Sequence, residues 1–166
     1  MRTTTVAILL ALTLTTGCAA TRGAVRPTPA PDPAPAVAPA LDDHNVIFPA
    51  ERADDLFGAW AEPVDGFWTP DEAQVRALRD ELPGYLVDHT PAERTRPRGT
   101  DAYYAQFVGI ERDGRQLIHA NFFCDDLDLD WTTGLIIVCD GGSCFFNVEY
   151  DPATGRYQNL YINGEA

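Results

Sequence analysis

Lysine is absent from this chain of 166 residues, serine occurs once, at Ser143, and histidine three times. All 12 cations are therefore arginine, set against 25 acidic residues for a formal charge of −13. A surface of that sign repels phosphate backbones, which argues against nucleic acid as a partner, and it discourages a polybasic contact with anionic lipid. A single serine, at a predicted turn with no base placed beside it, leaves no serine triad. Of the histidines only His119 falls inside a predicted strand, with His44 and His89 in connecting segments, so no zinc constellation forms. No metal or other cofactor is expected. The longest apolar run, Val6 to Leu14, is too short to cross a bilayer as a helix.

That run does have a purpose at its position. It follows Arg2 and leads to Thr15-Thr16-Gly17-Cys18, the arrangement of an export signal. Gly-Cys at the end of such a run resembles the lipobox of bacterial lipoproteins, although Thr15 stands where leucine is usual, and ordinary cleavage near Ala20 is the alternative. The resemblance implies a signal peptide over residues 1–17 and lipidation of Cys18. It also implies export to the cell envelope, and to the outer membrane in a Gram-negative cell, since Ala19 follows the cysteine. More than one acyl chain, at about 0.8 kcal/mol per buried methylene, holds a protein on a membrane stably. Residues 18–41 are then a tether dominated by alanine and proline, which lack the apolar bulk to fold and stay extended.

Residues 42–166 read as one globular domain. A short helical turn is expected near Arg52 to Trp60. Thr69-Pro70-Asp71-Glu72 reads as a helix start with a capping box and proline in the first turn. Val75, Leu78, Leu82 and Tyr85 or Leu86 follow at helical spacing, predicting a helix from Pro70 to about Val87 that kinks at Pro83. Tyr103 to Cys124 reads as a hairpin about Asp113-Gly114, the dipeptide suited to a two-residue turn with positive φ. Alternation puts Tyr103, Ala105, Phe107, Ile118, Ala120, Phe122 and Cys124 on one face, under the helix. Leu135 to Tyr150 reads as a second hairpin about Asp140-Gly141-Gly142-Ser143, pairing Cys139 with Cys144 and Ile137 with Phe146. A last strand runs from Tyr157 to Ile162. The fold class is α+β: one main helix packed on a four- to five-stranded antiparallel sheet, cystatin-like or PepSY-like in outline.

With Cys18 lipidated, Cys124, Cys139 and Cys144 remain, and an oxidising compartment favours one disulfide among them. The strand register makes Cys139 and Cys144 neighbours, and Cys124 with Cys144 is the rival. Asp126-Leu127-Asp128-Leu129-Asp130 alternates carboxylates like a calcium loop but lacks the glycine and the bidentate glutamate of that pattern, which favours a solvated acidic loop. The outward faces of the hairpins collect Gln106, His119, Asn121, Asn147 and Glu149. If the helix covers one sheet face, these line the other and form the candidate binding surface.

Five short motifs carry a resemblance. Trp68-Thr69-Pro70, Gly109-Ile110-x-x-Asp113-Gly114, Asn121-x-Phe123-Cys124, Asp140-Gly141-Gly142-x-Cys144-Phe145 and Asn163-Gly164-x-Ala166 together resemble a group of small uncharacterised bacterial lipoproteins. The resemblance implies a Cys124–Cys144 disulfide, because those two cysteines sit in the shared motifs and Cys139 does not. It implies no activity. The leading expectation is a cell-envelope lipoprotein carrying a non-catalytic domain that binds a small ligand or an envelope protein. The alternatives are an envelope hydrolase using His119 with Glu149, and an inhibitor of a secreted protease.

Overall fold

The structure is a computed structural model that describes residues 41–57 and 63–165. The expected signal, Cys18 and the tether as far as Ala40 lie outside the described residues, while Leu41, its last expected residue, packs against the core. Among the described residues two α-helices pack on a six-stranded sheet. No helix among the described residues is long and apolar enough to cross a membrane.

The main helix, α2 (Glu72–His89), starts two residues later than the spacing predicts. Asp71 is the N-cap: its carboxylate accepts from the Gln74 amide at 2.8 Å, and the Gln74 side chain accepts from the Asp71 amide at 2.9 Å. The capping box is thus Asp71 with Gln74 rather than Thr69 with Glu72. The Thr69 hydroxyl is used elsewhere, accepting from the Ala50 amide at 2.9 Å. That bond ties down the start of a shorter helix, α1 (Ala50–Phe57). α2 continues through Pro83, which is exposed, because Val75, Leu78, Leu82 and Leu86 stay buried on one stripe. At about 1.5–3 kcal/mol for each buried side chain, that stripe outweighs the hydrogen bond the proline removes.

Strands β3 (Tyr104–Arg112) and β4 (Arg115–Phe123) form the predicted hairpin, with Arg112 opposite Arg115 and Tyr104 opposite Phe123. Asp113 and Gly114 both have positive φ, as a two-residue turn matched to strand twist requires. Its apolar face carries the core: Phe107, Ile118 and Phe122 are fully buried with α2 against them. Phe122 stacks on Phe146, with ring centroids 4.8 Å apart.

The second predicted hairpin does not form. No strand runs over residues 135–139; β5 (Phe145–Asp151) pairs antiparallel with β4, placing Asn121 opposite Asn147 and Phe122 opposite Phe146. Cys124 and Cys144 close a disulfide at the head of that ladder, and Cys139 is free and exposed. This claims β5 for β4. Gly141 and Gly142, both with positive φ, lead into a 3₁₀ turn over Gly142–Cys144 instead of a tight hairpin. β6 (Arg156–Ile162) completes that side.

The other edge corrects the expected all-antiparallel sheet. β1 (Asn45–Phe48) lies parallel to the first half of β3, and β2 (Gly66–Trp68) antiparallel to its second half. The sheet is therefore mixed. Gly109 permits this arrangement, since a β-carbon there would run into the backbone carbonyl of Trp68. On the face away from α2, Val108, Ile110 and Leu117 are buried with Phe48 and Ala53 of β1 and α1. That face is not open to water along its length, as the strand parity alone suggested.

Candidate functional site

Residues 131–138 cross the second face as a strap without joining the sheet. Gln106, fully buried, holds it. The Gln106 amide donates to the carbonyls of Trp131 (2.6 Å) and Gly134 (2.7 Å), while its oxygen accepts from the Ile136 amide (2.9 Å) and from Asn121 Nδ2 (3.0 Å). Both donors and both lone pairs are in use. Asn121 also donates to the Ile136 carbonyl at 2.8 Å, and Asn163 donates to the carbonyls of Val138 (2.6 Å) and Asp140 (2.9 Å). Three side-chain amides thus supply the partners that a strand would have taken from a ladder. Leu135 packs toward Val108 and Leu117, and Ile136 is buried. Gln106 is consequently a strut beneath the strap, not part of a ligand-facing surface.

Beside the strap lies a cleft of about 480 Å³, bordered by Leu135 to Val138 on one side and by β4, β5 and β6 on the other. His119, Asn121, Asn147 and Glu149, four of the five residues singled out from strand parity, line it together. Arg112, Asn159, Tyr161 and Asn163 line it too and were not foreseen. Asn159 is placed by a bulge: between Asn147 and Glu149 the register on β6 slips, and Asn159 has φ of 53°. Tyr157 and Ile162 both pack toward α2 although they are five residues apart, an odd spacing that period two forbids without such an extra residue. That mismatch was the available signal.

The bulge brings Gln158 and Asn159 to the same carboxylate. Glu149 accepts from Gln158 at 3.0 Å, from Asn159 at 2.8 Å, and from Arg112 Nη1 at 2.7 and 2.8 Å. Burial by itself pushes the Glu149 carboxyl up. The bonds from Gln158, Arg112 and Asn159, with the guanidinium charge, outweigh it and hold the group below the ordinary carboxylate range.

His119 sits opposite Glu149 across β4 and β5. Burial pushes its imidazole down to about 4, with Glu149 acting against that shift and Arg112 with it. The ring is neutral at pH 7. Because the folded value lies below the unfolded one, its contribution to stability is complete above about pH 6.5 and is lost as pH falls toward 4. Glu149, also depressed, loses its contribution at lower pH, below the ordinary carboxylate value. Urea unfolding is therefore expected to weaken by about 1–2 kcal/mol between pH 6.5 and 4.5, discounted for the open cleft beside the ring. His119→Gln should flatten that interval. An unchanged slope in the variant would show that another group titrates there.

No protein-family model, curated protein or solved structure matches the chain.

Elsewhere the acidic loop spends its carboxylates locally. Asp125 and Asp126 accept from the amides of Leu127 (2.9 Å) and Asp128 (3.1 Å), and Asp130 accepts from the hydroxyls of Thr132 and Thr133. Among the described residues no three His, Cys, Asp or Glu side chains are grouped to hold a metal ion.

Proposed function

We propose that this chain is a cell-envelope lipoprotein, anchored through Cys18, whose folded domain binds a ligand or partner in the cleft between the strap and β4–β6 without catalysing a reaction. The observation that carries the reading is a cleft of small-ligand size, about 480 Å³, in which the charged pair Arg112 and Glu149 is already closed on itself. Glu149 is saturated by four donor contacts, so it is poorly suited to take a proton from a substrate or a water. The side chain of Asn147, by contrast, makes no hydrogen bond with other described residues and offers its amide to the cleft.

Asn147→Arg should fill the cleft and abolish retention of its occupant from solubilised envelope. Val87→Arg, at an exposed position on α2, should not. Equal retention by both variants would remove the cleft as the contact. Palmitate labelling that persists in Cys18→Ala would remove the anchor.

The hydrolase reading draws on the direct pairing of His119 with Glu149. It requires Glu149 to leave Arg112, which makes the binding reading the stronger of the two. Protease inhibition rests only on the cystatin-like layout of one helix across a sheet.

A further inference from the structure

Resting on the cleft as a binding site, we propose that its occupant is an uncharged, hydroxyl-rich molecule, a saccharide. The charge of the lining, its remaining hydrogen-bonding atoms and its shape all favour such an occupant.

The chain carries a formal charge of −13, yet the cleft lining shows no unbalanced ion. Arg112 and Glu149 neutralise each other at 2.7 Å. The remaining polar lining is His119 and amides, joined by the Tyr161 hydroxyl. An anion would find Arg112 already balanced by Glu149, and a cation would find Glu149 already balanced by Arg112, so neither recovers its desolvation cost here.

Asn121, Asn159 and Asn163 each turn their NH₂ toward a carbonyl or a carboxylate, groups that can only accept. This fixes the amide orientation and leaves each Oδ1 without a donor among the described residues. Among the described residues Arg112 Nε is the one fully buried side-chain nitrogen or oxygen lacking a partner, so the Asn121 and Asn163 oxygens are reached from the cleft. With the free amide of Asn147, the site is rich in acceptors. It calls for a neutral ligand with many donors, which hydroxyl groups supply at high density and with free rotation.

Tyr161 is 56% exposed and Ile137 43% exposed, both at the cleft. An aromatic ring and an aliphatic side chain at the rim of a polar site suit the C–H face of a sugar ring. An extended peptide would more naturally add a strand to the β6 edge, but the bulge at Asn159 breaks the ladder beside the cleft.

The test is an amide shift titration of the full-length chain in a sugar-free detergent, with probes up to about 10 mM to catch millimolar affinities. The probes are maltotriose, cellotriose and N,N′,N″-triacetylchitotriose, with trigalacturonate, a glucosamine trimer and a neutral hexapeptide for comparison. Shifts confined to the cleft and caused best by a neutral trisaccharide are expected. Asn147→Asp and Tyr161→Ala should each weaken them about tenfold. Neither side chain hydrogen-bonds within the described residues, so both variants should fold. Tighter binding of the acidic trimer, the basic trimer or the peptide in the cleft overturns the inference of an uncharged saccharide and leaves the binding site standing. Saccharide binding that neither substitution weakens overturns it as well. No cleft shifts with any probe overturns both.

Discussion

Gln106→Leu is expected to lower the stability of the domain by about 3–4 kcal/mol, and to do so by releasing the strap. The replacement keeps the volume but removes four hydrogen bonds from a site with no solvent access. It leaves the carbonyls of Trp131 and Gly134 and the amide of Ile136 without their partner. The strap can recover some of this loss only by lifting into water. Lifting exposes Leu135 and Ile136 and uncovers Val108 and Leu117 beneath, which is unfavourable by the area exposed. Hydrogen exchange at Ile136 should therefore accelerate while the amides of α2 keep their protection. Gln106→Glu gives a second handle. A carboxylate there would face two carbonyl oxygens, so its pKa should rise, and its penalty relative to the parent should grow as pH increases above the normal glutamate value. A Gln106→Leu variant with unchanged exchange at Ile136 would mean that Asn121 and Asn163 suffice to hold the strap.

The case of Gln106 shows how far sequence reasoning reached. Parity put Gln106, His119, Asn121, Asn147 and Glu149 on one face, and on that face they are found, because β3, β4 and β5 keep period two throughout. The helix stripe from Val75 to Leu86 and the turn at Asp113-Gly114 were legible for the same reason: each is a local rule that tertiary contacts reinforce. What could not be read was which segment covers which face. Leu135 to Val138 has the composition of a strand and is buried like one at Ile136, yet its backbone partners are side chains donated from three different strands or their ends. Periodicity carries no trace of such an arrangement. β1 and β2 escaped notice because they are four and three residues long and share one side of β3, too short for alternation to register. The hairpin predicted at Asp140-Gly141-Gly142-Ser143 failed on a competing long-range constraint. The bridge at Cys144 draws β5 to the end of β4, and the motif resemblance pointed to that pairing where register counting preferred Cys139.

The same bridge carries the second large effect. Cys124 and Cys144 are 20 residues apart, and the loop they close contains both the acidic turn and the strap. In the chain-entropy account, removing a crosslink over a loop of that length costs about 3 kcal/mol, mostly by freeing the unfolded chain. The double variant Cys124→Ser/Cys144→Ser is the informative one. A single change would leave Cys139 to pair with the remaining cysteine, since it is free, exposed and close in sequence to Cys144. The double variant should fold, because the ladder from Phe123 opposite Phe145 onward and the amide contacts of Gln106 stay in place. Its melting temperature should fall by on the order of 10 °C, with the strap still protected from exchange under native conditions. The two variants thus separate two ways of closing the cleft wall. If the strap is held by buried amides, Gln106→Leu frees it and the disulfide variant does not. If it is held by covalent loop closure, the outcomes exchange, and the cleft becomes a site whose shape depends on the redox state of its surroundings.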